Sequence, residues 1–334
     1  MPQFSSRFVR KPMLAVVATL AIGTIALPQV IEPVLAAAPM QKVQSGYLHV
    51  MVGKFEVTAL SDGTLDLPVE TLLAEPENAT KAALTRAYLS SPTETSVNAF
   101  LVNTGQKLIL IDTGAGKLLG PDLGKLADNV KAAGYSLDQI DDVVITHLHL
   151  DHVGGLMRDG KQVFPKAVIH GDKADTDYWL SEDARRKDGD QSNFFAGAVA
   201  SLRAYVQSGQ LKPFTGDTEI APGLTAISAH GHTPGHVIYE VESDGKRMFV
   251  IGDLIHVAAV QFDEPGVTIG FDSDQSEART TRHAVFAKIA KEGDLVGASH
   301  LSFPGVGHIR PHGEAYEWIP LNYSLGLSHQ TRGQ

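Results

Sequence analysis

Cysteine is missing altogether from the 334 residues, and its absence removes whole classes of chemistry. There is no disulfide framework, no thiolate nucleophile, and no thiolate-held zinc finger or iron–sulfur cluster. Positive charge is also scarce: 28 Lys+Arg stand against 38 Asp+Glu, a net charge of −10, and no short run is strongly basic. A nucleic-acid partner needs clustered Lys and Arg to neutralise phosphates, so that class is set aside. The apolar run at 13–27 spans 15 residues, short of the ~20 that a permanent membrane-spanning helix requires. What the chain does have is histidine, 14 in all, and metal chemistry without thiolates must use His, Asp and Glu.

Arg7, Arg10 and Lys11 precede the apolar run, and small residues at 36–38 follow it, which is the pattern of a cleaved secretory signal. Cleavage is expected after Ala36, because cutting after Ala38 would place Pro39 just past the bond; an uncleaved anchor is the alternative. Removing 1–36 takes away Arg7, Arg10, Lys11 and Glu32, a net +2, and leaves −12 on the mature chain. Residues 37–334 are therefore expected to be secreted or periplasmic, with no stable membrane association.

Strand and helix patterns mix throughout the mature chain. Residues 47–52 and 55–60 read as a hairpin around Gly53-Lys54, and 97–102 and 108–111 as the next strand pair. Residues 63–95 read as a long loop with a helix near 79–89. Leu123, Leu126, Val130 and Ala133 fall at helical spacing before Gly134, and a buried strand at 142–145 follows. In the second half, 167–170, 224–228, 237–241, 247–251 and 294–297 read as strands, and 194–207 and 279–292 as helices. The expected class is α/β, with packed sheets covered by helices in one domain.

The strand at 142–145 runs into Thr146-His147-Leu148-His149-Leu150-Asp151-His152-Val153-Gly154-Gly155. In an extended chain 147, 149 and 151 share a side, and the bend at Gly154-Gly155 turns His152 to a second centre. Imidazole and carboxylate at this density suit zinc or another borderline divalent ion. Downstream come Gly231-His232-Thr233-Pro234-Gly235-His236, then Gly252-Asp253, then Ser299-His300, each just past an apolar strand. Catalytic ligands are commonly mounted on such loops.

The ordered set His147, His149, Asp151, His152, His232, Asp253 and His300 resembles the binuclear site of the metallo-β-lactamase superfamily. Chain length, leader and the stretch 301–310 are most similar to the methyl parathion hydrolase group and its lactone-hydrolysing relatives. The resemblance implies an αββα sandwich of two mixed β-sheets flanked by helices. It also implies two divalent ions, zinc before manganese, cobalt or iron, and a homodimer. One ion would be held by His147, His149 and His232, the other by Asp151, His152 and His300, with Asp253 bridging and a hydroxide between the metals as nucleophile. Asp151 and Asp253 are the implied catalytic carboxylates, Asp151 handling the proton of the leaving group. His236 is the alternative to His232 as a ligand. Asp112-Thr113-Gly114 is expected to brace the metal loop. His170 and His230 are read as packing or hydrogen-bonding residues, His308 as loop-orienting or structural, and His49, His283, His312 and His329 as surface residues.

A substrate pocket is expected from Leu65, Leu67, Leu72, Trp179, Phe194, Phe195, His256 and Phe271, whose apolar surfaces suit an aryl or acyl group. The absence of Cys excludes thiolate-ligated β-lactamases, and the Cys-free kind usually lacks a bridging Asp. Flavodiiron proteins place Glu where His149 stands, nucleases need a positive track, and glyoxalase-type thioesterases need a basic C-terminal region. Dedicated parathion hydrolases carry a basic residue within 65–73 and an aromatic near 119; this chain has Leu72, Leu73 and Leu119. The expectation is a small-molecule hydrolase acting on lactones or aryl esters, with phosphotriesters as a side reaction. A dedicated triesterase and a non-catalytic metal-dependent binding protein are the alternatives.

Overall fold

Runs such as Leu108-Ile109-Leu110-Ile111 and Met248-Phe249-Val250 carry apolar side chains at every position, which demands cover on both faces of a strand. The computed structural model, describing residues 44–187 and 192–325, supplies that cover with two seven-stranded mixed sheets. The expected leader at 1–36 and His329 lie outside the described residues.

In the first sheet β1 (Tyr47–Val52), β2 (Phe55–Leu67), β3 (Thr93–Asn103) and β4 (Leu108–Ile111) are antiparallel neighbours. β5 (Asp142–Val144) then joins β4 in parallel. After a small ribbon of β6 (Met157–Arg158) and β7 (Lys161–Gln162), β8 (Val168–Asp172) and β9 (Leu211–Phe214) complete the sheet in parallel. The second sheet runs β10 (Thr218–Ala221), β11 (Leu224–Ser228), β12 (Val237–Ser243) and β13 (Lys246–Val250), all antiparallel. β14 (Leu295–Gly297) adds in parallel, and β15 (Val306–His312) and β16 (Ala315–Pro320) return antiparallel.

Side-chain alternation sorts the strands between two cores. In β3, Phe100 and Val102 meet Tyr239, Val241, Met248 and Val250 between the sheets. Ala99 and Leu101 face the other way, where Leu126 and Val130 of α3 (Leu126–Ala132), Val153 of α4 (Leu150–Val153), Trp179 of α5 (Lys173–Trp179) and Leu202 of α7 (Ser192–Gln207) cover them. α6 (Glu182–Lys187) lies between α5 and α7 in the chain. Behind the second sheet, Phe286 and Ile289 of α9 (Gln275–Glu292) pack on Ile238 and Phe249. Asp274 caps α9 by accepting from the Ser276 and Glu277 amides, and Gly293 ends it at φ 72°. A smaller cluster joins α1 (Val69–Leu72), α2 (Glu77–Arg86) and α8 (Ala258–Gln261) through Val69, Leu84, Val260 and Ile269. Helices, sheet, sheet and helices are the expected αββα order.

Residues 63–95 are not a long loop. β2 continues to Leu67 and pairs with β3 as far as Thr93, with a register shift between Ser61 and Gly63; that bulge breaks the alternation on which the sequence reading depends. β9, β10, β15 and β16 were also not expected, being short or largely polar strands without a clear period. Among the described residues no helix is long and apolar enough to cross a membrane.

Candidate metal centre

His147 follows β5, His232 follows β11, Asp253 follows β13 and His300 follows β14, so the strand ends of both sheets deliver donors to one place. The motif after β5 does not stay extended. His149 is the N-cap of α4, and the helical turn carries Asp151 and His152 away from the side shared by His147 and His149. Two separate donor groups result: His147, His149, His232 and Asp253 form one, Asp151, His152 and His300 the other, with the ligand atoms of each within 4.8 Å of one another, and Asp253, His256 and His300 make a third cluster that overlaps both.

Asp253 stands between them. Its Oδ2 lies 3.5 Å from His147 Nε2 and 3.2 Å from His232 Nε2, while Oδ1 lies 3.1 Å from both His152 Nε2 and His300 Nε2. Asp151 Oδ2 is 3.7 Å from His152 Nε2 and 3.4 Å from His300 Nε2. Burial works against charge on His152, yet Asp253, Asp151 and Asp112 outweigh it and hold this imidazole well above its usual range. Burial likewise opposes His232, but Asp253 and Asp272 raise it to about 9. Burial and the neighbouring imidazoles push His147 and His149 well below theirs. Burial also opposes ionisation of Asp253, and the histidines beside it override that and hold its carboxyl well below the carboxylate range.

The donor set fits divalent cations. His147 Nε2, His152 Nε2 and Asp253 Oδ1 are buried without a hydrogen-bond partner, a costly arrangement unless a cation is coordinated there. The opposite ring nitrogens are spoken for. His232 Nδ1–H donates to Asp272 Oδ1 at 2.8 Å, His152 Nδ1–H to Asp112 Oδ2 at 2.8 Å, and His300 Nδ1–H to the Ser96 carbonyl at 3.0 Å. His147 Nδ1–H donates to Thr146 Oγ1 at 3.1 Å, and that hydroxyl in turn donates to Asp112 Oδ2 at 2.8 Å. Those bonds keep one proton of each ring on Nδ1 and turn its Nε2 toward the site, where a cation would take the place of any second proton.

The expected brace is present: Asp112, at φ 62°, accepts from Thr146 N, Thr146 Oγ1 and His152, and Thr113 Oγ1 donates to the His152 carbonyl. A Cβ at Gly155 would lie 1.9 Å from the Thr113 carbonyl, so only glycine lets the metal loop come this close. His236 is not in either donor group. Its Nδ1–H donates to the Ala229 carbonyl and its Nε2 accepts from the Asp253 amide, each at 3.1 Å; burial, then His232, lowers it to about 3.

Leu65, Leu67, Phe194, His256 and Phe271 line the cavity over these donors, as does Leu119. His256 Nε2 is 3.2 Å from Asp253 Oδ2, and its ring stacks on His300 at 4.9 Å. Three expected wall residues lie elsewhere. Trp179 and Phe195 are fully buried behind the wall, Trp179 edge-on to His149 at 5.2 Å; adjacent positions on α7 diverge by about 100°, so Phe194 and Phe195 cannot both face the cavity. Leu72 packs against the α1–α2–α8 cluster. His49 is half-buried, bonded to Thr58 and 3.2 Å from Glu56, rather than a plain surface residue. Sequence reasoning passed over Asp175 and Asp272, which hold the site from beneath, and Asp62, which ties down the loop carrying Leu119.

Comparison with known proteins gives concordant results. Residues 92–300 match the sequence model of the Metallo-beta-lactamase superfamily. The structure of AbOPH, a hydrolase in the beta lactamase superfamily, is 35% identical with a TM-score of 0.81, covering 85% of this chain and 100% of that one. AidC, described as a dizinc quorum-quenching lactonase in complex with a product, is 26% identical with a TM-score of 0.77, covering 84% of this chain and 99% of that one. A probable metallo-hydrolase of Mycobacterium tuberculosis is 24% identical over 183 residues, 48% of this chain and 56% of the relative. The chain spans about half the length of the curated relatives it matches.

Proposed function

We propose that this chain, which belongs to the metallo-beta-lactamase superfamily, is a binuclear metal-dependent hydrolase of uncharged lactones and aryl esters. The observation that carries the substrate class is the cavity wall. Its apolar members are Leu65, Leu67, Leu119, Phe194 and Phe271, and among the described residues no Lys or Arg lines it. A carboxylate- or phosphate-bearing substrate finds no Lys or Arg on that wall to pair its charge, only what the metal ions would supply, whereas a neutral ester loses only apolar hydration on entry. The similarity to a lactonase of 26% identity supports the same reading.

His147, His149 and His232 would hold one ion and Asp151, His152 and His300 the other, with Asp253 between them. When bound, two divalent ions, zinc before manganese, cobalt or iron, supply Lewis acidity and lower the pKa of water towards neutrality. The chain's own residues do the rest. Phe194 and Phe271 hold the aryl or acyl portion and exclude water from the reacting bond. Asp151, whose side chain is 15% exposed and lines the cavity, takes up the nucleophile's proton and returns it to the departing oxygen. His256 presents its ring beside Asp253 and orients the ester group. Phosphotriesters, also neutral, are a weaker side reaction because a tetrahedral centre fills the space differently from a planar lactone.

The test is zinc-loaded protein assayed on dihydrocoumarin, an acyl-homoserine lactone and a paraoxon-type triester. The expected order is lactone or aryl ester above triester by a factor of about 100. Turnover of none, with two ions bound, would establish the binding-protein alternative, and the reverse order a dedicated triesterase. Export to the periplasm or medium belongs to the same proposal: N-terminal sequencing should find Ala37 first, and an intact Met1 would refute it. Assembly as a homodimer is checked by sedimentation.

A further inference from the structure

Asp175 is a fully buried carboxylate in the first turn of α5 with no place in the donor groups, and among the described residues its side chain bonds only to two loops. Its Oδ2 accepts from the Leu148 amide at 2.9 Å and from Thr233 Oγ1 at 3.0 Å; its Oδ1 accepts from the Gly235 amide at 2.6 Å. Leu148 sits between His147 and His149, and Thr233 and Gly235 follow His232. The contact is tight, since a Cβ at Gly235 would lie 2.4 Å from the Asp175 amide and 2.7 Å from Asp172 Oδ1. No cation is among its bonded partners, so the desolvation of this carboxyl is offset by backbone and hydroxyl donors alone.

The two donor groups share Asp112, which reaches His152 directly and His147 through Thr146, but differ in what else holds them. His152 is oriented from Asp112, just past the end of β4, and His300 from the Ser96 carbonyl on β3. His147, His149 and His232 come from two loops of different sheets, and one carboxylate spans both. We propose that Asp175 is a positioning residue that clamps these loops together and preforms the site of His147, His149 and His232, without acting on that of Asp151, His152 and His300. The clamp rests on the metal-binding reading above, and the wild-type control separates the two ideas.

Stepwise zinc titration against a chromophoric chelator, with melting of the metal-free protein alongside, reads the effect without any assay of turnover. Wild type should bind two ions; if it binds none, the metal reading fails and not merely the clamp. Asp175→Asn keeps shape and volume but replaces one acceptor oxygen with a donor. It should weaken one of the two ions by about 10- to 100-fold and leave the other at its wild-type affinity. In a His300→Ala background, where the remaining tight ion belongs to the first group, the same substitution should weaken that ion by the same factor, about 10 to 100. Unchanged affinities, or equal weakening of both ions together with a fall in melting temperature, would overturn the clamp. If Asp175→Asn does not fold, Thr233→Val decides. This near-isostere withdraws one of the three donors, so selective weakening of one ion supports the clamp and wild-type affinity at both sites refutes it.

Discussion

The floor and the wall of the cavity are held by different physics. On the floor, His147, His152, His232 and His300 each make a second hydrogen bond behind the ring, to Thr146, Asp112, Asp272 and the Ser96 carbonyl. On the wall, Leu65, Leu67, Phe194 and Phe271 are held by packing alone, and Leu119 stays 39% exposed. Directional bonds fix donors to the tolerance that coordination geometry needs. Apolar contact fixes only volume, so on the proposed function the wall would accept different acyl or aryl groups while the floor could not change without weakening metal binding.

Removing the centre of the floor should have the largest effect. Asp253→Ala deletes the one carboxylate that faces both donor groups, so at least one ion and nearly all turnover should go, on the order of a thousandfold, or about 4 kcal/mol, in kcat/KM. Metal analysis and kinetics on the same preparation check this. Retention of both ions would show that Asp253 is not shared.

The wall has one polar anchor, and its effect comes next. Asp62 Oδ2 accepts from the Ala115 and Gly124 amides and Oδ1 from the Leu126 amide, at 2.8–3.0 Å, pinning both ends of the segment that carries Leu119. Burial raises its carboxyl to about 6 despite those bonds. Because the folded value lies above the unfolded one, near 3.8, the folded state binds the extra proton. Stability from this group is therefore fully present below pH 4 and is lost as pH rises through 6, by about 3 kcal/mol. Asp62→Asn should lack that decline. The difference between wild-type and variant urea stabilities at pH 4, 5, 6 and 7 isolates it, and a pH-independent difference would rule it out.

Asp272→Ala tests the floor one step back. Freed of its 2.8 Å partner, His232 can turn, and the affinity of the ion it would bind should fall by about 10- to 100-fold. Competition titration reads the loss. No change would mean that packing by itself orients the ring, which would erase the distinction between floor and wall.

That distinction also governs what could be read from the chain. His147, His149, His152, His232, Asp253 and His300 were legible because each is polar within or just past an apolar strand, where nothing but chemistry explains it. Asp175 and Asp272 lie in Lys173-Ala174-Asp175-Thr176-Asp177 and Asp272-Ser273-Asp274. There a buried carboxylate looks the same as its solvated neighbours, and only the approach of a distant loop makes the difference. The layered fold followed from strands apolar on both faces. The wall was half legible, since the aromatic run Phe194-Phe195 announces a contact but helix phase decides which ring makes it. The β2–β3 extension that brings Leu65 and Leu67 to the site was hidden by its bulge.

The smallest effect sharpens the comparison from the wall's side. Phe271 is half-buried, 6.5 Å from Phe194 and 6.2 Å from His256, and it touches no ring nitrogen or carboxylate of the floor through a recorded bond. Truncating it by Phe271→Ala removes apolar contact that substrate and transition state share, so KM should rise about tenfold while kcat holds, a loss of ~1.4 kcal/mol. Both ions should remain at wild-type affinity, because the second hydrogen bonds of the floor do not pass through this side chain. Longer acyl chains or larger aryl groups should lose more than small lactones, since they reach further along the wall. An equal fall in kcat and kcat/KM, or loss of an ion, would mean that the wall helps to shape the floor and that the two are one mechanical unit.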